Sequence, residues 1–270
     1  MTIFEKLQHS ITADGVVLYQ NPHNPIQNLN DLVGHEITIT LGHKSQCLGC
    51  KKTTRIQKGY CWVCFTKLAR CDLCFLQPYR CHYDQGTCRE PAWAQSVCFE
   101  PHIIYCALTS DFKVGITRAT QLHTRWVDQG ATWAKPLIST TSRKDAGLIE
   151  RAMTTSYQWK DVTQWRDLIS GNQKISATEC RTFIEDIGLN QLFEAANSLQ
   201  IPFTVIPDSE KNLIYPVQKY CQMKKSLTLQ TEVPFTGILS GIIGQYLLFH
   251  DRGAINLRTY GGYNISIEKN

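Results

Sequence analysis

Two pairs of cysteines, Cys47-Leu-Gly-Cys50 and Cys61-Trp-Val-Cys64, limit what this chain can fold into more than any other feature of it. Two residues between cysteines let both sulfurs face one ion from a tight turn. Two such turns supply the four thiolates of a closed tetrahedral site. A redox dithiol needs only one pair, so the repetition points to zinc. Gly49 and Gly59 stand where such turns use unusual backbone freedom. An all-sulfur site leaves no position open for water, so the ion's expected work is structural. It orders a segment too short and too polar to build its own core.

A second set follows at once: Cys71-Asp-Leu-Cys74, Cys81-His82, Cys88 and Cys98, with His102 beyond. One more paired turn with further ligands predicts a second zinc. Cys71, Cys74, Cys81 and Cys88 form the preferred quartet, with His82, Cys98 and His102 open as replacements. Twelve cysteines in an exported chain would suggest disulfides instead. No apolar run follows a charged start, however. The most apolar stretch, residues 235–249, is short and broken by Gly237, Gly241, Gly244 and Gln245. The expectation is a cytoplasmic protein with no membrane partner, whose closely spaced thiols are metal ligands. With 270 residues, 43% of them hydrophobic, the chain can bury a real core.

Around the first cysteine quartet the charge is one-sided. Between Ile37 and Cys71 there is no acidic residue, while Lys44, Lys51, Lys52, Arg55, Lys58, Lys67 and Arg70 are basic and Tyr60, Trp62 and Phe65 are interleaved. Such a mixture can track a phosphate backbone and stack on bases. Lys51, Lys52, Arg55 and Lys58, with Arg118 further along, are the candidate nucleic-acid contacts. The partner expected is RNA rather than duplex DNA. The formal net charge of +5 permits a polyanion without requiring one.

The hydrophobic patterning predicts an α+β protein. An N-terminal strand segment (1–42) contains a strand at 36–41, and a zinc-binding region occupies 43–101. From 102 to 172 the pattern reads strand (102–108), strand (113–117), helix (118–129), strand (135–141), helix (143–157) and a short helix (161–170). A helical connector (173–199) opens at the capping box Ser176 and Glu179. A small C-terminal β domain (200–270) follows, with strands at 201–206, 227–229, 246–249 and 254–258, joined by the N-terminal strand.

The 102–157 succession places Tyr105, Lys113, Arg125 and Glu150 in one region. A phenol, an arginine and a carboxylate suit phosphoryl transfer: the carboxylate holds Mg²⁺, the arginine neutralises phosphate and the phenol handles a proton. Ile103-Ile104-Tyr105, followed by Lys113-Val114-Gly115, resembles the GIY-YIG nuclease signature over about a quarter of the chain. That resemblance implies a small antiparallel sheet with helices. It assigns Tyr105, Arg125 and Glu150 to catalysis with a metal at Glu150. Lys113 replaces the tyrosine that opens the second motif, and Gln164 stands about where the family has an asparagine. Longer strings, Gly86-Thr-Cys-Arg-Glu-Pro91, Lys113-Val-Gly-Ile-Thr-Arg118, Arg125-Trp-Val-Asp-Gln-Gly-Ala131 and Gly244-Gln-Tyr-Leu247, resemble a bacterial family of unknown function. Together the readings imply a zinc-containing nucleic-acid-binding protein. Mg²⁺-dependent phosphodiester cleavage is the sharper version. Non-catalytic RNA binding and a zinc-stabilised protein-interaction module are the alternatives.

Overall fold

Strand His102–Leu108 is buried at every position, because its alternate side chains feed two different cores. Ile104, Cys106 and Leu108 pack with Val114, Trp133 and Ile138 under Ala146, Ile149 and Met153 of helix Arg143–Ser156. Ile103, Tyr105 and Ala107 face the other way, towards Trp126 and Val127. A strand covered on both faces reads as a continuous apolar run rather than an alternating one. Strands Phe112–Arg118 and Trp133–Thr140 flank it, both antiparallel, so that Tyr105 lies opposite Gly115 on one side and Pro136 on the other. Thr204–Val205 and Lys211–Asn212 complete the five-stranded sheet along Trp133–Thr140. The computed structural model describes residues 3–22, 24, 26–207 and 209–270.

The chain's two ends form a second sheet. Strand Glu36–Ser45 lies between Tyr263–Lys269 and Phe235–Ile238, and its alternating Ile37, Ile39 and Leu41 point into the core. The N-terminal strand thus joins C-terminal strands, as the patterning predicts. An N-terminal hairpin, His9–Ile11 with Val17–Tyr19, and a meander, Gly241–Ile243, Tyr246–Phe249 and Gly253–Asn256, cover the same core. The buried cluster filling this region also contains Tyr105, Trp126 and Val127, so the terminal strands pack on one face of the central sheet.

Two of the longer sequence strings meet here. Asp128 accepts from Gln245 Nε2 at 2.8 Å and from Lys6 Nζ at 2.6 Å, with His9 at 3.4 Å and Arg258 at 3.8 Å. Gln245 in turn binds the backbone of Leu7 in both directions. Burial would raise the Asp128 pKa, but the His9 and Lys6 partners hold it below the usual carboxylate value. Asp128 therefore remains a part-buried anion pinning the C-terminal meander to the helix Leu122–Asp128 and to the N-terminal residues Lys6 and His9.

Several boundaries differ from the sequence expectation. The helix after Arg118 begins only at Leu122, following a 3₁₀ turn, and ends at Asp128, with Gln129 capping it before Gly130, whose φ is +73°. The 161–170 helix contracts to Trp165–Ile169. Residues 227–229 form no strand; Leu229 N–H is taken instead by the Tyr260 hydroxyl at 2.7 Å. The capping box is present in both directions, with Ser176 N–H on Glu179 Oε2 and Glu179 N–H on Ser176 Oγ, and it opens Ala177–Phe183. A π turn at Ile184–Gly188 then carries the helix on through Leu189–Ser198. Among the described residues, no helix is long and apolar enough to cross a membrane.

Candidate functional site

The four sulfurs of Cys47, Cys50, Cys61 and Cys64 lie within 4.8 Å of one another. Local backbone geometry builds the cluster. Lys51 N–H returns to the Cys47 carbonyl at 2.9 Å, closing the first turn, with Lys51 itself at φ 61°. The second pair is reached through Lys58 (φ 51°) and Gly59 (φ +87°). Gly49 is not left-handed; it is there for space, since a Cβ would lie 2.8 Å from Leu68 Cδ1 and 3.0 Å from Cys64 Sγ. Cys61 caps helix Trp62–Lys67, its sulfur accepting Cys64 N–H at 3.5 Å, while Cys61 N–H points at Cys47 Sγ at 3.2 Å. Burial pushes the Cys47 thiol up, but the Cys61, Cys50 and Gly49 N–H groups overcome it and bring the thiol down to about 6, while burial and the neighbouring sulfurs push its partner Cys64 up to about 12, so the proton shared within the cluster rests on Cys64. Donors aimed at sulfur favour thiolate, the form a metal needs. The donor set and spacing fit one tetrahedral zinc.

Lys44, Lys51, Lys52, Arg55, Lys58, Lys67 and Arg70 are all exposed around this cluster. Trp62 is 74% exposed and stacks on Phe65, ring centroids 6.5 Å apart and planes at 23°. Both rings line an open groove of about 980 Å³ together with Lys52, Arg55 and Tyr60. Lys51 leans instead towards Glu5, at 3.5 Å. Arg118 lies elsewhere, at the end of its strand opposite His102 and 3.8 Å from Glu100.

The second cysteine set is not gathered as the first is: among the described residues, no three of its sulfurs lie within 4.8 Å of one another. Cys74, Cys81, Cys88 and Cys98 line one cavity of about 30 Å³ with His82, Trp93 and Arg143. Cys71 does not line it; the charges acting on Cys71 are those of Arg70, Arg89, Cys47 and Glu90. Asp72, Cys74 and His82 bring ligand atoms within 4.8 Å. Asp72 is already engaged, however, by Arg89 at 2.6 Å and by Cys74 N–H at 3.2 Å. His102 is absent from the group; its Nδ1 meets the Glu100 carbonyl at 2.8 Å, and burial brings its pKa down to about 4.

Tyr105, Lys113, Arg125 and Glu150 do come within one another's electrostatic reach. The Tyr105 ring lies flat across Gly115, where a Cβ would sit 2.5 Å from its hydroxyl. Tyr105 is 0% exposed, its hydroxyl accepting from Gln129 Nε2 at 2.8 Å. Burial raises its pKa against the pull of Arg125. Lys113 is 4% exposed and donates to the Asp161 carbonyl at 2.6 Å; burial, reinforced by Arg125, brings it down to about 8. Burial takes Glu150 up to about 7, with Lys113 opposing and Asp161 adding to the rise. Trp126 is fully buried, edge-on to Tyr105 with centroids 6.2 Å apart, and so is a core anchor. Gln164 is exposed, with its carbonyl accepting from Ser110. Asp161 and Arg143 were not singled out by the sequence. Both act through folding: Asp161 sits eleven residues beyond Glu150 on a loop that returns to Lys113, and no local pattern marks that return.

A family model described as "Protein of unknown function (DUF2797)" matches residues 34–265. No curated protein and no solved structure matches the chain.

Proposed function

We propose, because the chain belongs to the DUF2797 family and that family's description assigns no activity, a function read from the site itself: a zinc-braced protein that binds unpaired stretches of RNA. The observation that carries this reading is the open groove with a stacked, mostly exposed Trp62 and Phe65 beside Lys52 and Arg55. A solvent-facing tryptophan costs apolar hydration and gains nothing for the fold. Against an unpaired base it provides a stacking platform worth about 1–3 kcal/mol. The lysine and arginine then neutralise flanking phosphates, and duplex, whose bases are already stacked, gains less. Zinc at Cys47, Cys50, Cys61 and Cys64 holds the groove's walls in place. In fluorescence anisotropy with a labelled single-stranded RNA, Trp62→Ala with Phe65→Ala should weaken binding by roughly tenfold or more. Lys52→Glu with Arg55→Glu should also weaken it and flatten its salt dependence. Unchanged affinity in both double variants would move the contact surface elsewhere.

Mg²⁺-assisted phosphodiester cleavage at Glu150 is a second reading. It is favoured by the displaced proton affinities of Glu150 and Lys113 beside Arg125, because such perturbation gathers at reactive sites. Under it Glu150 holds the cation, Arg125 faces phosphate, and Tyr105, buried beneath, positions Arg125. RNA is then cut in Mg²⁺, and Glu150→Gln abolishes cutting while sparing binding. Cleavage that persists in Glu150→Gln sinks this assignment, and a wild type that cuts nothing leaves the binding reading alone.

A further inference from the structure

A second groove, of about 680 Å³, opens on the outer face of the terminal sheet and shares Thr53 with the groove of Trp62 and Phe65. A break in the strand pairing shapes it. Tyr263 pairs with Ser45 and Ile265 with Leu41, so Asn264 alone faces Gly42, His43 and Lys44. Such a bulge bends the strand that carries the extra residues and re-aims its side chains. His43 and Lys44 are accordingly both exposed, although neighbours in a regular strand point to opposite faces. Gly42 keeps the place beside Asn264 open, since a Cβ there would lie 3.3 Å from the asparagine's own.

The polar side chains on this face differ in what they bind. Towards the other end of the strand, Thr38 is satisfied within the chain, by the Thr236 hydroxyl at 3.2 Å and by Asn270 Oδ1 at 2.7 Å. At the groove itself, Ser45 Oγ donates to the Thr54 carbonyl at 2.8 Å. Thr40, Gln46, Asn264 and Ser266 line the same groove, yet their side chains make no hydrogen bond among the described residues. Thr40 and Ser266 are direct partners across the two strands, which sets their hydroxyls side by side.

This chemistry is unlike that of the ribbon groove. An aromatic ring stacks on any base and a cation neutralises any phosphate, so Trp62, Phe65, Lys52 and Arg55 suit single strands of RNA and DNA alike. The sheet groove offers hydroxyls and amides, which both give and accept hydrogen bonds. It also contains Glu232, whose carboxylate repels phosphate but accepts from a hydroxyl. The group that separates ribose from deoxyribose, the 2′-hydroxyl, is itself donor and acceptor. Lys44 carries the acid-free basic run of the ribbon into this groove and can neutralise a phosphate beside it. We infer that the sheet groove is a ribose-reading subsite, in which Thr40, Asn264 and Ser266 bind 2′-hydroxyls of a single-stranded RNA that passes Thr53 from the stacking groove. The inference rests on the ribbon groove holding the strand, and it supplies the selection for RNA that stacking cannot.

Labelled oligouridylate and oligodeoxyuridylate, which differ only at the 2′-hydroxyl, test it in fluorescence anisotropy on the full-length protein. The wild type should bind the RNA roughly tenfold more tightly, as one or two added hydrogen bonds allow. Thr40→Val with Ser266→Ala removes both hydroxyls at nearly constant size and should bring RNA affinity down to that of DNA. Trp62→Ala with Phe65→Ala should weaken binding of both oligonucleotides. If the Thr40 and Ser266 double variant fails to fold, photo-crosslinking of the wild type to thiouridine-substituted oligouridylate still decides. Crosslinks should then fall in residues 40–46 and 264–266 as well as in the ribbon, and crosslinks confined to the ribbon overturn the subsite. Equal wild-type affinity for the two oligonucleotides, with Trp62 and Phe65 still required, overturns the subsite and spares the stacking groove. An RNA preference untouched by Thr40→Val with Ser266→Ala overturns it too. Binding of neither oligonucleotide, or binding indifferent to Trp62 and Phe65, defeats the stacking groove and the subsite with it.

Discussion

Single residues in the Tyr105 group are fixed by contact rather than by preference. Opposite Tyr105 only a residue without a side chain fits, since a Cβ at Gly115 would meet both the hydroxyl and, at 2.6 Å, ring carbon Cζ. Gly115→Ala should therefore destabilise the protein by about 1–3 kcal/mol, read as a lower denaturation midpoint. Adding Tyr105→Phe should not rescue it, because Cζ remains; full rescue would show that the hydroxyl alone sets the constraint. Charge in the same group makes stability depend on pH. Glu150, at about 7 in the fold against 4.5 ordinarily, holds its proton more tightly folded than unfolded, so stability falls as pH rises from 4.5 to 7. Lys113, at about 8 against 10.5, releases its proton more readily in the fold, so stability recovers as pH rises from 8 to 10.5. A trough between pH 7 and 8 is expected in denaturant midpoints. Glu150→Gln should flatten its acid limb relative to wild type; a difference between the two proteins that does not vary between pH 4.5 and 7 would refute the linkage.

At the scale of elements, the ribbon and the central sheet stand on different supports. From Cys47 to Lys67 the buried residues are Cys47, Gly59 and Cys64, two of them candidate ligands, whereas His102–Leu108 is buried throughout between two cores. So little apolar surface cannot offset the entropy of ordering the segment, which a metal ion at the cysteine cluster would do. Chelation should thus release amide protection over 47–67 in hydrogen exchange while His102–Leu108 stays protected. Equal loss in both would mean that the metal supports the whole fold rather than the ribbon.

The whole molecule is closed by its ends. Strand Glu36–Ser45 is covered by Tyr263–Lys269, which contributes Ile265 and Ile267 to the core that Tyr105 and Trp126 also enter. Deleting residues 263–270 should therefore abolish cooperative unfolding and expose Ile37, Ile39 and Leu41, seen as binding of a hydrophobic dye. Retention of a sharp, wild-type transition would show that the terminal sheet is an accessory rather than part of the core. The same closure explains why Asp128, in the middle of the chain, is held by Lys6 and Gln245 from opposite ends of it.

The sequence by itself determined whatever depends on near neighbours. The first cysteine quartet, the strands at 36, 102 and 246, the helix from Arg143 and the capping box at Ser176 all follow from spacing of a few residues, because turn closure, side-chain alternation and capping are local. Tertiary structure alone decided which thiols line the second cavity, because Cys98 comes to it from the end of helix Pro91–Val97, while Cys71, three residues before Cys74, is not part of its lining. It likewise decided that Tyr105 is sealed, Trp126 is core and Lys113 is tied to the Asp161 carbonyl. Burial is a property of what packs on a face, and the strands that cover Tyr105's face come from the two far ends of the chain.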